Sequence, residues 1–244
     1  MRTHLVADAV TMVLAHTEVM ERDLLLAEQL ALVAIREDSG RHEPGTRSRL
    51  NACLAGLLVA ELALEGHAQP GDRPDTFIGA DGQPPTSPML AAAARVLADK
   101  GPRIKAVLSH MDRGLSQEIG LGTWDAAVGG LVDAGVVTSG QGRLRPRHEL
   151  IDQHRRDVLV ARLRAAAAGD HPLEPRTALL LAMAGPAYLL QVVAPERGTR
   201  RHARDRINHV LEGTPFEPIR KAVRKVIAEA EAAASVASMA ATAG

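Results

Sequence analysis

The chain has 244 residues, of which 46% are hydrophobic and 24% charged, which is enough to bury the core of one large domain or two small ones. Lysine plus arginine number 29, as do aspartate plus glutamate, and the resulting net charge of zero disfavours nucleic acid as a partner. The single cysteine, Cys53, excludes an internal disulfide and a cysteine-based metal site, and its apolar neighbours predict a buried side chain.

In the N-terminal half, apolar residues recur at the three- and four-residue spacing of helices. That pattern predicts four helices, at residues 24–35, 50–65, 89–100 and 104–111. Between the second and third, residues 67–69 and 76–78 are predicted as strands, because a turn containing proline and glycine separates them. A helix followed by a small β-hairpin is thus the first unit that the sequence predicts.

A second unit of the same kind begins at Thr123, which can cap a helix that ends at Gly135. Residues 136–138 and 143–145 are predicted strands around a tight turn at residues 139–142. A helix followed by a two-stranded wing is typical of winged-helix proteins. The two units therefore keep a winged-helix DNA-binding regulator as the alternative function.

The C-terminal third is predicted to be helical at residues 149–168, 176–193, 200–211 and 215–234. Residues 177–195 contain no charged side chain over nineteen positions, which approaches the length of a membrane span. Gly185, Pro186 and Gln191 interrupt this segment, so we expect a buried central helix instead. The predicted fold is mainly α, a single helical domain around that buried central helix, with two short winged-helix-like β-hairpins.

The chain is predicted to have three parts. Residues 1–20 are an N-terminal extension without the uninterrupted apolar core of a signal peptide. Residues 21–232 form the helical domain. Residues 233–244 are small and weakly patterned, which predicts a frayed tail.

Patterns that carry chemistry are weak in this sequence. His148 and His154 lie six residues apart, whereas the zinc-protease pattern needs two histidines four residues apart on one helix face. The glycines of residues 140–142 fit a hairpin turn better than a phosphate loop. Glu61 and Glu65 share a helix face, and we interpret them as structural or solvated carboxylates. We therefore predict no catalytic residue, no metal and no cofactor, and interpret the protein as a non-enzyme.

Arginine is concentrated in a few short stretches. Arg206 belongs to the densest stretch, and a smaller group on the proposed wing comprises Arg143, Arg145 and Arg147. Guanidinium groups bind phosphate with two parallel hydrogen bonds, although solvated faces and intramolecular ion pairs remain alternatives. The residues predicted for an anion or lipid-headgroup site are Arg47, Arg49, Arg197, Arg200, Arg201 and Arg204.

Three stretches, in order, resemble the Golgi phosphoprotein 3-like family. Residues 26–40 are similar to its opening helix and turn, residues 56–66 to its leucine-rich second helix, and residues 131–137 to its junction between helix and hairpin. The resemblance covers residues 20–230, and the excess of arginine over lysine indicates a bacterial member. It implies a helical scaffold in which residues 177–195 are the buried central helix.

Eukaryotic members of that family bind phosphatidylinositol 4-phosphate and attach to Golgi membranes. The tryptophan and arginines of their lipid site correspond here to Thr46, Ala55, Leu121 and Trp124, none of which matches. The resemblance therefore implies a phosphoinositide-binding type of adaptor in which that site is not retained. We expect a cytoplasmic or peripheral membrane protein whose partner is an anionic membrane surface or another protein, with nucleic acid less favoured.

Overall fold

A computed structural model of the chain describes residues 24–36, 42, 46–140, 147–170 and 172–242. Within these residues it is mainly helical and contains two small antiparallel sheets, as the sequence predicts. The helices are α1 Leu26–Ala34, α2 Arg47–Leu64, α3 Pro88–Lys100, α4 Ile104–Ile119, α5 Thr123–Asp133, α6 Gln153–Ala168, α7 Pro175–Ala184, α8 Leu190–Val193, α9 Arg197–Leu211 and α10 Phe216–Thr242. The strands are β1 Ala68–Pro70, β2 Phe77–Gly79, β3 Val137–Gly140 and β4 Arg147–Leu150.

Helix α2 lies at the centre of the fold. Its residues 52–62 are buried without interruption, and the helix packs against α1, α3, α4, α5, α7, α10 and β1. A helix covered on all sides needs an apolar surface all round, and leucine, alanine and valine supply it here. The predicted burial of Cys53 is confirmed, since the side chain is fully enclosed in this helix.

One glycine allows α10 to pack closely against α2. A Cβ at Gly56 would lie 2.5 Å from Cγ2 of Val223, closer than any real contact. Ile219, Val223 and Ile227 form the buried stripe of α10 at four-residue spacing. The missing side chain therefore brings the two helix backbones together and places the polar face of α10 beside α9.

Both predicted hairpins are present, and the second differs in its strand bounds. β1 pairs with β2 in the register Ala68 to Gly79, and β3 pairs with β4 in the register Val137 to Leu150. The predicted strand at 143–145 lies outside the described residues; the partner of β3 is β4. The predicted start of the next helix at Glu149 is wrong, because Glu149 belongs to β4. α6 begins at Gln153. The Asp152 side chain caps it by accepting a hydrogen bond from the Arg155 N–H at 2.9 Å.

The predicted continuous helix at 176–193 is wrong, although the predicted burial is confirmed for residues 177–184. α7 is buried from Thr177 to Ala184 and then ends, because the chain turns through residues 185–189. Pro186 has no N–H to continue the helical ladder, and Tyr188 adopts a left-handed backbone with φ of 61°. The short α8 follows.

No helix among the described residues combines the length and the apolar character that crossing a bilayer requires.

Two further helix bounds differ from expectation. α4 continues past the predicted end at 111 to Ile119, where Gly120 in the left-handed region stops it. Residues 233–242 of the predicted tail at 233–244 continue α10 as helix, and the side chains of residues 228–239 are all exposed. Fraying of this tail stays a prediction. Alanine has the highest helix propensity, which accounts for helix in a segment whose side chains are exposed. The predicted extension at 1–20 lies outside the described residues.

We predict opposite stability effects for two adjacent glycines of α5. A Cβ at Gly130 would collide with the Glu28 carboxylate, whereas a Cβ at Gly129 meets only Leu121, at 3.9 Å. Gly130→Ala should lower the free energy of unfolding by about 1–3 kcal/mol. Gly129→Ala should raise it by about 0.5–1 kcal/mol through helix propensity. Urea unfolding measures both, and equal effects of the two substitutions would contradict the packing described.

Candidate functional site

A buried carboxylate near the end of α2 joins that helix to the starts of two others. Glu61 on α2 accepts a hydrogen bond from the Leu26 N–H at 2.8 Å and one from Nη2 of Arg176 at 2.6 Å. Leu26 begins α1 and Arg176 lies in the first turn of α7, while only 2% of the Glu61 side chain is exposed. Both oxygens of Glu61 are thus bound by groups of the fold itself, which supports the structural interpretation of this residue.

A second buried carboxylate lies beside it. Glu28 accepts a hydrogen bond from the Leu25 N–H at 2.8 Å, and burial raises its pKa to about 7, with the charge of Glu61 adding to the shift. Burial also raises the pKa of Glu61, against the opposing charge of Arg176. A carboxyl that titrates near neutral pH can serve as an acid or base, but Glu28 contacts α1 backbone and lines neither cavity described below. Its titration therefore acts on stability.

The structure places Arg47 and Arg49 at the start of α2, where both make intramolecular contacts. Arg47 forms an ion pair with Asp125 of α5. Arg49 forms an ion pair with Glu231 of α10, and its guanidinium lies 4.1 Å from the ring centroid of Tyr188. Using either arginine for a ligand would require exchange of these contacts, and their role in anion binding stays a prediction.

The four positions that correspond to the eukaryotic lipid site do not present charge. Thr46, Ala55 and Trp124 are buried, and the indole ring of Trp124 contacts His42 edge-on with centroids 5.1 Å apart. Leu121 is 43% exposed. Thr46 lines a cavity of about 300 Å³ with Tyr188 and the end of α1, and most of that lining is apolar.

The remaining predicted arginines lie on α9 and divide into two groups. Arg200 donates to the carbonyls of Ala194 and Pro195 and so stabilises the end of α8, while Arg206 donates to the Ala166 carbonyl of α6. These two hold the helix in place. The exposed group, hereafter the arginine face, comprises Arg197, Arg201 and Arg204.

Helical spacing puts the arginine face on one side of α9. Its members are separated by four and three residues, the spacing that aligns side chains along a helix. Among the described residues, no carboxylate forms an ion pair with any of the three. Among the predicted site residues, the arginine face is therefore the exposed basic surface that is available to bind a partner.

The sequence did not single out Arg220, Arg224 or Asn208, which the fold brings next to Arg204. All four side chains line one cavity between α9 and α10. The four-residue spacing of Arg220 and Arg224 in the sequence indicates that they share one helix face, but their proximity to α9 depends on how α10 packs.

Within the described residues no group of three or more histidine, cysteine, aspartate or glutamate side chains could hold a metal ion.

We predict that Glu28 makes the fold less stable as the pH rises through neutrality. Its folded-state pKa of about 7 lies above the ordinary 4.5, so the folded chain binds more protons than the unfolded chain between these values. The free energy of unfolding should fall by about 3 kcal/mol as the pH rises from about 4.5 to 8. Urea unfolding at both pH values measures the change, and Glu28→Gln should remove most of it.

Glu149→Gln is the control for that experiment, because Glu149 is an exposed carboxylate on β4. The control should keep the decline of the unmodified chain. A Glu28→Gln chain that declines as steeply as the control would show that Glu28 stays ionised in the folded state.

Comparison with known proteins places the chain in a family. The family model described as Golgi phosphoprotein 3 (GPP34) matches residues 26–230, from the first residue of α1 into the exposed part of α10. No curated protein matches the chain. The family match covers well over half of the 244 residues and confirms the resemblance read from the three stretches. The chain belongs to the Golgi phosphoprotein 3 (GPP34) family.

Proposed function

We propose that this protein is a non-enzymatic adaptor that docks on anionic membrane surfaces through the arginine face of α9. Family membership supports an adaptor-type role. The observation that carries the membrane part is the set of three exposed arginines on one side of one helix, without ion-pair partners among the described residues. The protein would then be a peripheral membrane protein on the cytoplasmic leaflet, where anionic lipids concentrate.

Local charge, rather than net charge, supports this proposal. The chain as a whole has a formal net charge of zero, so long-range attraction to a membrane is weak. Each basic side chain close to an anionic surface nevertheless contributes about 1 kcal/mol, falling off within a Debye length. Asp205 is also exposed on α9, four residues after Arg201 and so beside it, but it forms no ion pair with the three arginines among the described residues. Three aligned guanidinium groups suit reversible, salt-sensitive binding.

The proposal does not use the lipid site of eukaryotic members. The corresponding positions carry no cation, and Asp125 adds a carboxylate directly beside Trp124. Arg47, the nearest cation in sequence to Thr46, is already paired with that carboxylate. Phosphatidylinositol 4-phosphate recognition by the family's usual side chains is therefore not part of the function that we propose.

The winged-helix alternative receives less support from the two helices that precede the hairpins. A recognition helix needs basic and polar side chains for phosphates and bases. α5 carries no lysine or arginine and two aspartates, and α2 is buried through residues 52–62. The arginine face lies on α9, away in sequence from both hairpins. We therefore retain membrane docking as the proposed function.

We predict that the double substitution Arg197→Gln and Arg201→Gln weakens binding to anionic vesicles about 30-fold. The estimate is about 1 kcal/mol for each lost charge, converted to a binding ratio. Co-sedimentation with vesicles of phosphatidylcholine and phosphatidylserine at low ionic strength measures it. Neither substituted residue lines the cavity between α9 and α10, so the two features are tested separately.

Arg73→Gln with Arg113→Gln is the matched control, since both are exposed arginines outside α9 and the charge change is equal. The control should bind vesicles like the unmodified chain. Absence of vesicle binding by the unmodified chain at low salt would overturn the membrane proposal. Equal loss in both double variants would show that bulk charge, rather than the arginine face, governs binding.

A further inference from the structure

A cavity of about 180 Å³ lies between α9, α10 and the end of α7, and its polar lining is basic. Arg204 and Asn208 come from α9, and Arg220 and Arg224 come from α10. Apolar residues of α7, α8 and α9 form the rest of the wall. Among the described residues no carboxylate lines the cavity, so three guanidinium groups converge without a negative charge between them.

Arg220 is the most informative of the three because it is buried. Only 8% of the residue is exposed, and one of its terminal nitrogens donates to Oδ1 of Asn208. Its Nε is buried and has no hydrogen-bond partner among the described residues. An arginine stays ionised in proteins, and buried charges are normally paired with an opposite charge. A neutral amide oxygen does not supply that charge.

The carboxylate that acts on Arg220 is occupied elsewhere. Glu217 attracts Arg220 electrostatically, but its oxygens accept hydrogen bonds from the Gly213 N–H at 3.0 Å and from Nζ of Lys221 at 2.6 Å. Burial, and then the like charge of Arg224, lower the pKa of Arg220. The cavity thus concentrates positive charge at a cost to the fold, and a bound anion would offset that cost.

We propose that this cavity is a binding site for a phosphate group, with Arg220 at its base, Arg204 and Arg224 at its mouth, and Asn208 orienting Arg220. Guanidinium forks match the oxygen spacing of phosphate and bind it with parallel hydrogen bonds. The volume is below the range of about 300–1,000 Å³ that suits a drug-sized ligand, so the site fits one anionic group rather than a large cofactor. The group can be free phosphate or the phosphomonoester of a lipid headgroup.

The phosphate site does not depend on the proposed membrane function. Arg204 belongs to both features, but Asn208, Arg220 and Arg224 lie outside the arginine face. Diffuse attraction to a charged surface would not require a buried guanidinium with an unused donor. A discrete, saturable anion site would use such a buried donor to bind its ligand.

Isothermal titration of inorganic phosphate into the full chain, in a phosphate-free buffer at low ionic strength, tests the site. We expect saturable binding at one site per chain. Arg224→Gln removes one charge at the mouth, and Arg220→Lys keeps the charge but removes the fork. Each should weaken binding at least about 10-fold, as expected for loss of a charge-assisted hydrogen bond.

Lys225→Gln is the matched control, because Lys225 is exposed beside Arg224 but does not line the cavity. It removes the same charge and should leave phosphate affinity unchanged. Circular dichroism shows whether Arg220→Lys folds; if that variant is unfolded, the exposed Arg224 decides the outcome. No saturable heat up to about 10 mM phosphate, or equal affinity in Arg224→Gln and Lys225→Gln, would overturn the site.

Vesicles of phosphatidylcholine with phosphatidic acid, which carries a phosphomonoester headgroup, then identify the source of the phosphate. If inorganic phosphate displaces the chain from these vesicles, the site takes a lipid headgroup. If vesicle binding is insensitive to phosphate while titration still shows the site, its ligand is a soluble phosphate compound. Phosphate binding without any vesicle binding would overturn the proposed membrane function and leave the phosphate site supported.

Discussion

The packing of this protein depends on one buried carboxylate. Glu61 binds the first N–H of α1 and the guanidinium of Arg176 on α7, so one side chain of the central helix fixes the starts of two neighbours. Removing a partner from a buried pair leaves an uncompensated charge, which costs far more than a surface ion pair contributes. The positions of α7 and, through it, of α9 therefore follow from this contact as well as from apolar packing.

Arginine serves three different purposes in one short stretch of sequence. Arg200 and Arg206 bind backbone carbonyls and fix α9 to α8 and α6, whereas Arg197 and Arg201 face solvent. Arg204 reaches the cavity shared with α10. A count of basic residues cannot separate these uses, because each depends on the angle of the side chain around the helix and on what packs beside it. A neutral chain can thus carry a concentrated basic surface.

The sequence predicted most helices and both hairpins, because apolar spacing and glycine stops are local signals. It did not predict the break after Ala184, where an uncharged segment looked continuous although Pro186 lies within it. The basic cluster of α9 was visible from the local density of arginine along the sequence. Its extension to Arg220 was not, since that depends on the close approach of α10 to α2 at Gly56. A single sequence does not show which distant segments of the chain contact each other.

The exposed end of α10 divides the helix into two parts with different dynamics. Up to Ile227 the helix is held by a buried stripe, and beyond it residues 228–239 are all exposed. The exposed part includes the surface ion pairs of Glu229 with Lys105 and of Glu231 with Arg49, each of which contributes about 0–1 kcal/mol. Amide hydrogens there should exchange with solvent long before those of the first part. The cooperative unit therefore ends near Ile227, and a protease that trims the last turns would leave both arginine-lined features intact.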